Sequence, residues 1–214
     1  MSSTLFDPRV RKVLDAMHAD ADRLDPPLLE RAAGKTGAER AALLTEAFIP
    51  VSPDAGRLLY TLVRGAAAGT VVEFGTSFGI SAIYMAAAVR DRGTGIVVTT
   101  ELNERKAERA REYIGEAGLL DFVDLRLGDA RETLKALDAD VTLAFLDGMK
   151  DLYLPVLRLL EPALRPGAIV VGDDVDLFPV PLAPYLDYVR EPVNGYVSLT
   201  VTIGDGMELS SRVA

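Results

Sequence analysis

Five short apolar runs between residues 70 and 174 each end in an acid. "TVVEFG" carries Glu73, "GIVVTTE" ends in Glu101, "FVDLRLGD" in Asp129, "DVTLAFLDG" carries Asp147, and "GAIVVGDD" ends in Asp173 and Asp174. Helical patterns separate the runs: "ISAIYMAAAVRD", "NERKAERAREYIGEAG", "ARETLKAL" and "KDLYLPVLRLLEPALRPG". Strand alternating with helix implies βαβ units and a parallel sheet covered on both faces. In such a sheet ligands bind outside the carboxyl ends of the strands, so the acids are expected to crowd one rim. Like charges gathered there repel and cost stability. Capping of the following helix accounts for any one of them. For all of them together the simpler account is a ligand with hydroxyls, a positive charge or a metal.

The first acid sits in the pattern Glu73-Phe-Gly75-Thr-Ser-Phe-Gly79. A dinucleotide fingerprint has three glycines, which let a pyrophosphate approach a helix N-terminus; here there are two, and a carboxylate precedes them. That carboxylate would repel a pyrophosphate and could accept a hydrogen bond from an ammonium. Glu101, ending the second run, stands where such folds hold a ribose diol. An adenosine with a cationic, amino-acid-like tail fits both, which is S-adenosylmethionine (SAM). Gly128-Asp129 at the third run strengthens the pattern.

The elements that must position these residues can be read along the chain. Val10, Val13, Leu14, Met17, Ala21 and Leu24 recur at helical spacing; the stripe reads as core, or as a contact for a homodimer. Pro26-Pro27 is expected to break this helix. A second helix is expected over 38–49. "PVSPDAGRLLYTLV" opens a third, with Ser52 as N-cap and Pro53 in the first turn. Asn103 is the N-cap and Gly118 the stop of the helix after the second run. "YVSLTVTIGDGMELSSRV" reads as two strands joined at Gly-Asp-Gly, a hairpin. Gly34-Lys35-Thr36 lacks the earlier glycine and the preceding strand of a phosphate-binding loop. His18 falls on the polar side of the first helix, and Tyr185, Tyr188 and Tyr196 read as packing residues.

The 214 residues carry a net charge of −9 and no cysteine. The charge argues against nucleic acid or an anionic membrane as main partner. The missing cysteine removes disulfides, a thiolate nucleophile and Cys-type zinc sites. No apolar run reaches the roughly 18 residues of a membrane helix, and a cytoplasmic location is expected. The expected fold class is α/β, a Rossmann-like doubly wound, mostly parallel sheet with a C-terminal antiparallel hairpin and an N-terminal helical cap. One domain is expected over 1–214, with the cap over 1–50 and the cofactor-binding core over 51–214.

Residues 45 to 214 resemble the class I SAM-dependent O-methyltransferases, and among them the small catechol O-methyltransferase type. The motifs are "VVEFGTSFGIS", the acid of "TTE", "GDA", "LDGMKDLY", "GAIVVGDDV" and "IGDGMEL"; "LDGMKDLY" with "GDDV" marks the metal-dependent subgroup. The resemblance implies that Glu73, Gly75 and Ser77 line the methionine end of the cofactor and that Ser81 binds its carboxylate. It puts Glu101 on the ribose, Asp129 and Ala130 beside the adenine, and Ser52 against the cofactor. Asp147, Asp173 and Asp174 fall at the family's Mg²⁺ ligands and Lys150 at its general base. Neighbouring strands sit about 4.8 Å apart, so acids ending two of them can share one cation. Oxygen ligands without cysteine suit Mg²⁺ rather than Zn²⁺. A metal that chelates two adjacent hydroxyls would position the acceptor and lower the hydroxyl pKa, and Lys150, lowered by the metal and by burial, would take the proton. Two positions depart from the family: Asp174 stands where Asn is usual, and Met149 where many relatives carry Trp. The implied reaction is O-methyl transfer to a small aromatic, either a vicinal diol or a phenol. A metal-independent methyltransferase, an NAD-type dehydrogenase and a cofactor-binding protein without activity are the rivals. The missing third glycine and the lack of a Tyr-Lys or His pair at the strand ends speak against the dehydrogenase.

Overall fold

The structure is a computed structural model describing residues 3–35, 37–135, 137 and 139–213. It begins with helices α1 (Pro8–Ala32), α2 (Gly37–Leu44) and α3 (Pro53–Gly65). Strand β1 (Thr70–Phe74), helix α4 (Ile80–Arg92), β2 (Val97–Glu101), α5 (Glu104–Glu116) and β3 (Val123–Leu127) follow. The second half holds α6 (Ala130–Thr133), β4 (Val141–Leu146), α7 (Tyr153–Leu160), β5 (Leu164–Gly172), α8 (Pro179–Arg190), β6 (Tyr196–Val201) and β7 (Met207–Arg212). The strands form one seven-stranded sheet in the order β3-β2-β1-β4-β5-β7-β6. The first five pair in parallel, and β7 joins β5 and β6 antiparallel. The α/β class, the parallel sheet and the terminal hairpin are as expected. The order reverses between β1 and β4, which is where an open α/β sheet leaves a crevice for a ligand.

Strand periodicity of two divides the core into two layers. Val71, Leu143 and Phe145 face α1, α3, α4 and α5 on one side. Val72, Ala144 and Leu146 face α6, α7 and α8 on the other. Each buried Leu, Ile, Val, Phe or Met there contributes about 1.5–3 kcal/mol. The stripe of the first helix is buried within this chain, so it is no surface for a second copy. Among the described residues no helix is long and apolar enough to cross a membrane.

Four local expectations are corrected. Pro26 and Pro27 lie inside α1, which continues to Ala32; proline's fixed φ is compatible with a helix, and the buried Asp25 and Ala32 on either side fasten the segment to the core. The second helix ends at Leu44 rather than residue 49, because the N–H groups of Phe48 and Ile49 go to the Asp25 carboxylate and Ile49 takes φ +44°. The helix expected over "ARETLKAL" is confined to α6; Ala136, like Thr36 of the Gly-Lys-Thr sequence, lies outside the described residues. Helix α8 had no counterpart in the expectations, since Pro179, Pro181 and Pro184 disguise it. The hairpin turn does more than reverse the chain. Gly206 and Asp205 carbonyls accept from Val175 and Asp176 N–H (3.1 and 3.0 Å), bracing the loop after β5.

Candidate functional site

The turn from β1 into α4 is built on glycine. Gly75 has φ +102°, and a Cβ there would lie 2.6–2.8 Å from the backbone of Asp147 and Gly148. The ends of β1 and β4 therefore approach as closely as only glycine allows. Gly79, at φ +91°, caps α4 in the left-handed region. Between them Ser77 takes φ +48° without being glycine. Such residues persist only where surrounding contacts hold them. Here the Ser77 N–H donates to Glu101 Oε2 (2.8 Å) and its hydroxyl to the Phe48 carbonyl (3.0 Å).

Glu73 is fully buried. Its carboxyl accepts from Ser81 Oγ at 2.5 Å and from Thr99 Oγ1. Burial pushes its pKa up from 4.5 to about 7, and the charges of Asp147 and Glu101 add to the rise against the two hydroxyl hydrogen bonds. Thr99 escaped the sequence reading, although it faces Glu73 directly in the β1–β2 register. Glu101 behaves as expected of an acid at a strand end: its other oxygen accepts from Asn103 N–H (2.8 Å), and Asn103 caps α5. Lys106 on α5 was also missed. Its ammonium donates to Ala47 O (2.9 Å) and Ser77 Oγ (3.2 Å), and burial lowers its pKa. Gly75, Thr76, Ser77, Phe78, Ile80, Ser81 and Asp147 form one side of a narrow crevice; Phe48, Ile49, Pro50 and Val51 form the other.

At the ends of β4 and β5 the remaining acids meet. Lys150 opens a 3₁₀ turn after β4, and its ammonium lies 3.1 Å from Asp147 Oδ1, 2.7 Å from Asp174 Oδ2 and 2.8 Å from the Tyr153 hydroxyl. The Phe178 ring lies beside it, 5.7 Å from Nζ to centroid. Asp173 is buried, and its Oδ1 accepts from the N–H of Asp174, which sits at φ +63°. Burial pushes Asp173 up to about 8 and Asp147 upward too, with the other acids of the cluster adding to the rise. Lys150 differs from expectation. Burial alone would lower it, but Asp147 and Asp174 outweigh burial, and its pKa is raised. The three acids offer a hard-oxygen donor set on adjacent strands. Among the described residues, however, no three such side chains stand arranged to hold a metal ion, and the cation between Asp147 and Asp174 is the lysine's own.

The rim of acids thus separates into groups with different roles. Asp129 caps α6 and pairs with Arg131 at 2.6 Å, which holds its carboxyl down to about 2; the buried Ala130 follows it. Ser52 spends its hydroxyl on the Ala55 N–H (3.2 Å), as the N-cap reading expects, and is not among the crevice residues. His18 is half-buried, with Nε2 turned inward, and burial lowers its pKa. Tyr185 is buried, while Tyr188 and Tyr196 share Glu161 Oε1; all three are packing residues.

The chain has relatives among known proteins. The methyltransferase domain family matches residues 72–175. A catechol O-methyltransferase of Niastella koreensis is 32% identical over 139 residues, 62% of this chain and 62% of its own length. Catechol O-methyltransferase B of Danio rerio is 30% identical over 189 residues, 85% of this chain and 68% of its own. Among solved structures, the O-methyltransferase TomG from Streptomyces achromogenes in complex with SAM superposes with a TM-score of 0.66 at 27% identity, over 87% of this chain and 90% of that one.

Proposed function

Because the chain belongs to the class I SAM-dependent O-methyltransferases of the catechol O-methyltransferase-like type, we propose that it moves the methyl of SAM to a hydroxyl of a small aromatic acceptor with vicinal hydroxyls. The observation that carries the reading is the Lys150 ammonium between Asp147 and Asp174, one strand from the sheet's switch point, with Asp147 also lining the Gly75–Ser81 crevice.

In this reading Glu101 takes the ribose hydroxyls. Each of its oxygens already accepts one N–H and keeps a lone pair for a sugar hydroxyl. Gly75, Ser77 and Ser81 line the methionyl tail, and an ammonium near Glu73 would favour its ionised form. Asp129 and Ala130 border the adenine, and Ser52 touches the cofactor from the start of α3. Apolar groups near Lys150 suit an aromatic acceptor: the Phe178 ring lies 5.7 Å from its Nζ, and their chain neighbours Met149 and Leu177 are 58% and 55% exposed. In-line displacement at the methyl demands an oxygen held in place, and positioning supplies much of the rate.

Asp147, Asp173 and Asp174 would hold Mg²⁺, which supplies a Lewis acid that lowers the acceptor hydroxyl's pKa. In the metal-dependent reading Lys150 would take the proton. Paired with two carboxylates it stays protonated; parted from them, it keeps only the burial that lowers it. The pairing itself favours a second reading, metal-independent transfer with Lys150 as the resident cation. A panel of dihydroxy- and monohydroxy-aromatics, incubated with SAM and with either Mg²⁺ or chelator, decides between them. Methylation that needs the metal supports the first reading, and methylation indifferent to chelator supports the second. Binding of NAD in place of SAM overturns both.

A further inference from the structure

Three elements converge on the short stretch that forms one wall of the crevice. From α1, Asp25 accepts from the N–H of Phe48 at 2.8 Å and of Ile49 at 2.7 Å. From the β1–α4 turn, Ser77 Oγ donates to Phe48 O. From α5, Lys106 donates to Ala47 O. The Phe48 ring stacks on Phe78, with centroids 4.4 Å apart. Asp25 is 5% exposed, and burying a carboxylate is costly unless hydrogen bonds satisfy it. What it satisfies in return is unusual backbone. Ile49 is β-branched and sits at φ +44°, a region such residues avoid unless the surroundings impose it. Ile49 is 46% exposed, so core packing does not impose it; the two hydrogen bonds do.

We infer that Asp25 is a positioning residue for the cofactor site: it holds the Phe48–Ile49 wall in the one arrangement that faces Gly75, Ser77, Ser81 and Asp147 across the crevice. The inference rests on the cofactor reading above. It gives the N-terminal helix a role at the site, exerted through two backbone amides and without contact to the ligand. Ser77 links the wall to Glu101 in turn, since one residue donates to Phe48 O and to Glu101. A wall released from Asp25 loosens the cofactor's surroundings on both sides.

The test measures S-adenosylhomocysteine binding by calorimetry, well below the thermal midpoint, for the wild type, Asp25→Asn and Asp25→Ala. Asp25→Asn keeps one acceptor and loses the charge, and the expected dissociation constant rises about tenfold, the worth of one hydrogen bond to a charged acceptor. Asp25→Ala is expected to rise further, and in both variants KM for SAM rises while kcat at saturation stays within about twofold. A merely structural residue would lower the melting temperature and leave the constant of the folded protein unchanged; that result overturns the inference. For the case that neither variant folds, hydrogen exchange on the wild type serves. The Phe48 and Ile49 amides are expected to be protected and to gain further protection when S-adenosylhomocysteine binds; no gain overturns the inference as well. Failure of the wild type to bind S-adenosylhomocysteine would instead remove the cofactor reading.

Discussion

Glu73→Gln should make the protein more stable and worse at holding its cofactor, and the stability gain should depend on pH. The wild-type carboxyl has an ordinary value of 4.5 in the unfolded chain and about 7 in the fold, chiefly through burial. The folded state therefore holds a proton that the unfolded state has lost. Well below pH 4.5 both states are protonated and the fold carries no penalty. As the pH rises to 7 the unfolded state ionises alone, and stability falls with it. Each pH unit is worth about 1.4 kcal/mol, so the penalty reaches about 3 kcal/mol and stays constant above pH 7. Glutamine cannot ionise and escapes it. Its amide offers one acceptor and one donor to Ser81 and Thr99, as the protonated carboxyl of the wild type does below pH 7. The variant should gain about 3 kcal/mol at pH 8, or about 6–12 °C in melting temperature for a chain of this size, and should match the wild type at about pH 4 and below. Denaturant unfolding of both proteins across this range measures the difference, and titrating groups not coupled to Glu73 cancel. A difference that does not change between pH 4.5 and 7.5 would show that Glu73 is ionised in the fold and would refute the reasoning.

Other substitutions probe the rest of the site. Gly75→Ala places a Cβ against the Asp147–Gly148 backbone at a positive φ; strain and overpacking together should cost about 3 kcal/mol, read as a drop of about 6–12 °C in thermal denaturation. Lys150→Met removes the ammonium shared by Asp147 and Asp174. Turnover at neutral pH should fall by about 10²–10⁴, as for the loss of a general base, with S-adenosylhomocysteine affinity near unchanged; full turnover would remove Lys150 from the mechanism. Asp174→Asn should fold normally, because Asn tolerates the φ of +63° at that position. Its kcat/KM should exceed that of Asp147→Ala by about tenfold or more, the lower bound for loss of a metal-supporting group; the reverse order would contradict the metal assignment.

What the sequence made legible, and what it hid, follows from the range of the interactions. The strand ends were readable because β-branched runs and the acids after them are local patterns. Asn103 and Ser52 were readable as caps because an N-cap and its target amide lie within three residues. The Asp25 clasp was invisible for the opposite reason. It joins residues 23 and 24 positions apart, and its most conspicuous neighbours, Pro26 and Pro27, suggested a broken helix instead of a fixed one. Helix α8 was lost to its prolines in the same way. Thr99 is an intermediate case: aligning β1 with β2 by their apolar alternation pairs Glu73 with Thr99, so a hydroxyl partner for the buried acid could have been found from register alone. The acids show where such reading stops. Their arrival at one rim followed from topology, but their protonation did not. Asp129 is held low by an exposed arginine, while Glu73 and Asp173 are pushed up to about 7 and about 8 by burial. The rim therefore escapes much of the repulsion that six charged groups would impose, partly by keeping protons and partly by seating Lys150 between two of its members. A cationic cofactor or a divalent ion arriving there would displace those protons, so ligand binding at this site should release protons to solvent. Calorimetry in buffers of different ionisation enthalpy measures that release, and an uptake of protons at neutral pH would contradict the raised values of Glu73 and Asp173 on which the account of the rim depends.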